Sequence, residues 1–443
     1  MINAQLILIV GLLGLVLLDL LRRYRNFSQS VIHYAALAVL LVSLVSEILF
    51  GNLNASFFSE VQYSYFINGF ILFISTLIYS FFFADKKSFS PLVDVLFIAA
   101  VLGATLVVLS SNLLAVILSI ELLSLSSYSL VYFGKTLGTL EGAMKYISTS
   151  MVSFVILLFG ASLVYAGAGT LSFSNLSSVN YIPFIAGLAV IIAGLGFKST
   201  LVPFHMWAPD TYEASDSTIT AFITSVAKAA GIVAMIRIFF FGFQVSSSFV
   251  TAVFLALALF TIFLAGIFAI AQDRIKRILA FSSISQAGFA FLGIALLNLQ
   301  AVSSAVFYIF SFAVADALLF LSFRIMEEKG IRYKKDIKRM FSVSKIATIG
   351  FFLGVLSLFG FPPTIGFVGK LLILASLLSH GYIYIVGAVF LMLLLSVFYY
   401  FGLFLSLDFK AYSQNKMKKI NSREIIILIF CVSLFAGIAF ATI

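Results

Sequence analysis

Apolar runs of about 20 residues follow one another from one end of this chain to the other, and that recurrence sets the fold class. In hydrocarbon a segment of this kind satisfies its backbone only as a helix or in a closed barrel. Alternating patterning of the barrel type is missing from the sequence. Of 443 residues, 62% are hydrophobic and 10% charged, where a soluble domain carries about 25% charged residues. The expectation is an all-α, polytopic membrane protein with fourteen transmembrane helices. The spans run approximately over 4–21, 31–50, 64–84, 91–109, 113–133, 143–167, 183–206, 217–240, 246–270, 277–297, 300–326, 345–379, 382–407 and 421–441.

The net charge of +10 is concentrated in alternate connections. Loop one holds Arg22, Arg23 and Arg25, loop three Lys86 and Lys87, and loop five Lys135. Loop nine holds Arg274, Lys276 and Arg277. Loop eleven holds Lys329, Arg332, Lys334, Lys335, Lys338 and Arg339, and loop thirteen Lys410, Lys416, Lys418 and Lys419. This bias places the odd loops on the cytoplasmic or matrix side and both termini on the outer, positive side. It accounts for the basicity without a nucleic-acid partner. Loop seven departs from it, with Asp210, Glu213 and Asp216. The first apolar segment has no basic stretch before it and arginines after it, so it reads as a retained helix. One cysteine, Cys431, excludes a disulfide framework and a cluster held by several thiolates. His33, His205 and His380 are too scattered for a metal motif.

Two spans carry breakers. Span seven contains Pro203, and the long span twelve contains Pro362-Pro363 and Gly366, so both helices are expected to be discontinuous. Interrupted helices in corresponding positions point to two inverted five-helix repeats. The expected organisation is an N-terminal three-helix segment (1–90), a first repeat (91–240), a second repeat (246–407) and a C-terminal loop and helix (408–443).

Against this apolar background stand Glu121, Lys198, Lys228 and Lys370. A charge at mid-bilayer costs roughly 2.5–3.5 kcal/mol on insertion scales, so such groups turn inward and often mark an ion or proton path. Ser217, Thr220, Thr224 and Lys228 share a helix face that is able to line a hydrated channel. The rival reading is a structural lysine satisfied by hydroxyls and carbonyls. Glu121, with Ser124 and Tyr128 on its face, needs a cation such as Lys198 or Lys228, in a switch or in a static pair. His205 is either a titrating group or a core histidine at the Pro203 kink. Ser282, Ser285 and Gln286 line one face of span ten, as relay or as helix-to-helix glue. Asp94, near a span end, is expected to meet water, and Asp316 has no evident partner. Glu141 and Lys145 are spaced for a local surface pair.

Six blocks carry a likeness to a known family: "IELLSLSSYSLVYF", "EGAMKYI", "GFKSTLVPFHMWAPDTYEAS", "TAFITSVAKAAG", "DRIKRILAFSSISQAGF" and "LSLFGFPPTIGFVGKLLIL". With them the chain resembles the antiporter-like membrane subunits of respiratory complex I, and within that family the N-type branch (subunit 2 in mitochondria). The resemblance implies a proton relay of Glu121, Lys198, Lys228, Lys370 and His205, with Glu121 and Lys198 as an interacting pair. It implies no cofactor in this chain, with quinone, flavin and iron–sulfur clusters in partner subunits of a complex I-like assembly. The implied location is an energy-transducing membrane. A subunit of a multi-subunit cation/proton antiporter is the alternative, and a scaffold with relic charges a third reading. Two departures stand out. Ser215, Asp216, Ser217 and Thr218 replace the prolines usual after "YE", and Gln286 stands where related subunits often have histidine. If the implied pair exists, Glu121→Gln and Lys198→Met are non-additive in a double-mutant cycle on turnover. Strict additivity counts against direct coupling.

Overall fold

The computed structural model describes residues 4–25, 28–50, 60–84, 90–134, 136–173, 181–243, 248–408 and 420–440. Lys86, Lys87, Lys135, Lys410, Lys416, Lys418 and Lys419 of the basic loops lie outside the described residues. Among those described, helices account for the regular structure and no strand occurs. They are α1 (Ala4–Arg25), α2 (Ser30–Phe50), α3 (Glu60–Ala84), α4 (Pro91–Leu109), α5 (Leu113–Tyr132), α6 (Leu137–Ala168), α7 (Tyr181–Lys198), the short α8 (Trp207–Ala214), α9 (Ser217–Phe222) and α10 (Lys228–Ile236). After them come α11 (Ser248–Ile270), α12 (Ile275–Ile294), α13 (Leu299–Glu327), the short α14 (Met340–Val343), α15 (Lys345–Phe359), α16 (Ile365–Ser379), α17 (Ile383–Leu405) and α18 (Ser422–Phe440). Twelve of the described helical stretches are long and apolar enough to cross a membrane by length and composition, and α15 and α16 are shorter apolar helices.

Local sequence starts and stops these helices. Asn112, Asn298 and Ser344 accept from the backbone amides of Ala115, Ala301 and Ala347, capping α5, α13 and α15. Pro91 opens α4, where its missing N–H is harmless.

The helices cluster into two units. The first is Met1–Leu195 with Val233–Gln244. Here Asp94 corrects an expectation: it is fully buried rather than wet. His33 Nδ1 lies 2.6 Å from its carboxylate and the Tyr79 hydroxyl donates to it at 2.7 Å, which ties the start of α2 to the end of α3 and the start of α4. A span end is not an exposed end when three helices close over it. Lys145 and Glu141 form the expected surface pair at 2.8 Å.

The second unit is Gly196–Ile232 with Val245–Ile443. In it α13 is buried among α9, α12, α15, α16 and α18. The acidic loop seven now has a reason. Arg277 pairs with Asp210 and Glu213, Arg274 with Glu213, and Arg324 with Asp216. Loops nine and eleven are joined by backbone bonds, Ile275 N–H to Arg332 O at 2.9 Å and Lys334 N–H to Asp273 O at 3.0 Å. Within loop eleven, the Tyr333 and Arg332 amides donate to Asp336 and hold its carboxyl below the usual range. Loops seven, nine and eleven therefore share one end of this unit. At the other end Asn298 of loop ten meets His380 of loop twelve at 3.1 Å.

Both expected breaks are present. The first separates α7 from α8 at 199–206, and the second separates α15 from α16 at 360–364. Gly360 closes α15 with φ +88°, a left-handed conformation suited to glycine. Gly366 leaves no room for a side chain, because a Cβ there would overlap the Ser357 carbonyl. Gly366→Ala is expected to cost about 1–3 kcal/mol and to lower the thermal midpoint of the purified assembly. Gly387→Ala, which nothing crowds, should leave the midpoint unchanged or raise it slightly.

Candidate functional site

The candidate site grows from the helix that opens at Ser217. Its α-helical turns give way to a π-helical stretch at Ile223–Ala227, and the amide of Lys228 donates to Ile223 O, five residues back. Such wide turns recur at functional positions. Lys228 follows directly and is only 1% exposed. Its ammonium donates to the Ser283 hydroxyl on α12, and that hydroxyl donates to Asp316 on α13. The Tyr212 ring centroid lies 5.7 Å from the ammonium. Thus the missing partner of Asp316 is Lys228, reached through one hydroxyl.

The two charged members of this trio are matched in depth. Lys228 lies eleven residues past Ser217, and Asp316 eleven residues before Glu327 at the same end of the unit. Each is roughly 16 Å along its helix at 1.5 Å per residue. A buried ammonium and a buried carboxylate at equal depth form a linked pair that transfers of two protons can neutralise. In such a transfer Lys228 would give one to Ser283 while Ser283 gave its own to Asp316.

Lys370 uses the second break. It lies on α16, yet its ammonium donates back to Leu358 O at 2.6 Å and Phe359 O at 3.1 Å, the carbonyls at the end of α15. The Phe289 ring lies 4.6 Å from it, and Gly360 passes so close that a Cβ would sit 3.1 Å from Lys370 Cδ. Lys370 is buried, so it does not reach out to headgroups.

Lys198 is the last residue of α7 and is buried against Gly231, where a Cβ would lie 3.1 Å from Lys198 Cγ. In the break that follows, Leu201 N–H returns to Gly196 O at 2.8 Å, Trp207 Nε1 donates to Phe197 O at 3.3 Å, and Thr261 Oγ1 receives Val202 N–H at 3.1 Å. His205 is buried in this segment, stacked near Phe268 with ring centroids 6.2 Å apart and edge-on to Phe281 at 6.4 Å. In the first unit Glu121 is half-buried on α5, within electrostatic reach of Tyr128 and Tyr146. The hydroxyl of Ser124 turns back to Ile120 O at 2.7 Å.

Span ten divides its polar residues between two networks. Ser283, which the sequence reading passed over, holds Lys228 and Asp316. Gln286 accepts from the Tyr308 hydroxyl and donates to Tyr400 Oη at 3.2 Å, and Ser282 bonds the same Tyr400. Tyr308 packs against Gly369, next to Lys370. Gln286 thus occupies the space between the Lys228 centre and the Lys370 centre with uncharged groups.

Apolar helices, broken twice, with ammonium and carboxylate groups buried among them, define a polytopic membrane protein that keeps ionisable groups away from lipid. Residues 110–396 match the family described as NADH:quinone oxidoreductase/Mrp antiporter, TM. The chain belongs to that family. It is 33% identical over 314 residues to NADH-quinone oxidoreductase subunit N of Moorella thermoacetica, covering 69% of this chain and 66% of that one. It is 31% identical over 317 residues to F(420)H(2) dehydrogenase subunit N of Methanosarcina mazei, covering 68% and 64%. Among solved structures, a chain of respiratory complex I from Thermus thermophilus superposes with a TM-score of 0.82 at 25% identity, covering 98% of this chain and 96% of that one.

Removing one member of a buried charge pair leaves the other uncompensated, at a cost of roughly 3–5 kcal/mol. Asp316→Asn is therefore expected to lower the thermal midpoint of the assembled complex, and Asp316→Asn/Lys228→Met to recover most of the loss. A double variant no more stable than the single one would show that the two groups are not energetically linked.

Proposed function

We propose that this chain is a proton-translocating membrane subunit of a complex I-like quinone oxidoreductase. Quinone reduction elsewhere in the assembly drives it. Glu121, Lys198, His205, Lys228 and Lys370 form its relay. The observation that carries this reading is the Lys228–Ser283–Asp316 linkage at mid-depth. A static clamp needs no such intervening hydroxyl, whereas a proton carrier needs a group that donates and accepts in one place. Lys370, bound to carbonyls at a helix break, provides a second ammonium site.

In this reading the odd loops face the side from which protons are taken, and both termini face the outer side. The two five-helix repeats each contribute one broken helix and one lysine beside it. The chain itself holds no flavin, iron–sulfur cluster or quinone; those belong to partner subunits, among which are related antiporter-like chains. The named relatives differ in electron donor, NADH in one and F(420)H(2) in the other, so the donor belongs to the partners too. The alternative, a subunit of a multi-subunit cation/proton antiporter, draws on the Mrp half of the family description. Co-purification of an iron–sulfur or quinone-site subunit separates the two.

Lys228→Met in an assembled complex is expected to slow coupled quinone reduction and pumping by about tenfold or more, equivalent to ~1.4 kcal/mol on the barrier. Lys228→Arg should also impair both, since a guanidinium does not give up its proton. Lys370→Ala should reduce pumping as well. Wild-type proton flux in assembled Lys228→Met would sink the proposal.

A further inference from the structure

The relay assigns no group that takes protons from water for the Lys228 centre. We propose that Glu327, with Lys276 and Ser217, is the proton-collecting mouth of that half of the chain, an inference that rests on the translocation reading above.

Glu327 ends α13, its side chain 21% exposed, at the end of the unit where loops seven, nine and eleven meet. One carboxylate oxygen lies 2.7 Å from the Lys276 ammonium. The other accepts from the Ser217 hydroxyl at 2.6 Å. Ser217 is the first residue of the helix that carries Lys228. Inward from it the helix presents hydroxyls at successive turns. Thr220 Oγ1 and Ser215 Oγ are 2.6 Å apart, and Thr224 Oγ1 donates to Thr220 O at 3.0 Å. Lys228 is one turn further in. Lys276 joins the two stages, since its ammonium also donates to Ser215 O at 2.7 Å.

The neighbouring charges set Glu327 apart. Asp216 faces Arg324 at 3.4 Å, and Glu328 faces Arg324 at 3.2 Å and Arg423 at 3.0 Å. Those acids hold guanidinium groups, the buried Arg324 and the partly exposed Arg423. Glu327 instead puts one oxygen on a hydroxyl that leads inward, while its edge meets the outside. A carboxylate so placed takes a proton from water on one side and gives it to the Ser217 oxygen on the other, while the Ser217 hydroxyl turns and releases its own proton inward.

The test uses the intact complex in proteoliposomes. Glu327→Gln should slow pumping by about tenfold or more near pH 8. The loss should shrink toward pH 6, where protons are abundant, and should be relieved by formate, a small weak acid that delivers protons itself. Wild-type pumping at every pH overturns the proposal. So does a loss that neither low pH nor formate relieves in an assembled complex, which would make Glu327 a structural clamp. If Glu327→Gln fails to assemble, Glu327→Asp keeps the charge but withdraws it from Ser217, and the same formate response is expected and decisive. Lys228→Met separates the two ideas. If it abolishes pumping while Glu327→Gln is normal, the mouth alone is wrong. If Lys228→Met pumps normally, the axis itself fails.

Discussion

Opening a helix inside hydrocarbon frees carbonyl groups that lipid cannot solvate, and in this chain an ammonium that lipid cannot solvate answers them. Lys370 and the end of α15 are each expensive alone and satisfied together. The carbonyl end of a helix is also its negative end, which favours a cation by a further ~0.3–1 kcal/mol or more when partly buried. The first break meets the same requirement with other means. Backbone, the Trp207 indole and the Thr261 hydroxyl take up the freed groups around Lys198, itself the last residue of α7. Both lysines are thus placed at the carboxyl end of a helix, one from within that helix and one reaching back from the next.

Away from the breaks the helix backbones are complete, so a mid-membrane charge there needs side-chain partners. Lys228 finds Ser283 and, through it, Asp316. The π-helical stretch just before Lys228 widens the helix where the side chain must leave it. Between this centre and Lys370 stand Tyr308, Gln286 and Tyr400, which bond to one another and carry no charge at neutral pH. Two charged stations are therefore separated by a polar but neutral partition.

Much of this was legible in the residues. Apolar recurrence gave the helices, and Pro203 and Pro362-Pro363 gave the breaks. Helical spacing set Ser217, Thr220 and Thr224 on the approach to Lys228. What escaped was partnership across helices. Ser283 sits among Ser282, Ser285 and Gln286 in a segment with hydroxyls on several faces, so periodicity alone does not say which faces α13. Asp316 has apolar neighbours along its own helix, and its partner lies on a neighbouring helix distant in sequence, the one that opens at Ser217. The signal that could have paired it was its depth, equal to that of Lys228 when counted from the same membrane side. Asp94 misled for a related reason, since distance from a span end measures depth and not enclosure.

The ion pairs that knit loop seven to loop nine and to the end of α13 have an effect beyond holding those segments. Asp210, Glu213, Asp216, Glu327 and Glu328 face Arg274, Lys276, Arg277, Arg324 and Arg423, an equal number of opposite charges. While the helices are being inserted, each basic residue acts singly in fixing orientation. Once they are folded, this network has no net charge and its far field largely cancels. The net charge of +10 already counts both signs of this network, so the excess is carried by other basic residues, among them Lys329, Arg332, Lys334 and Lys338 of loop eleven. The ends of loops seven and nine and of α13 thus form a locally neutral patch beside the basic loop eleven, where a cation meets less repulsion than it does over that loop.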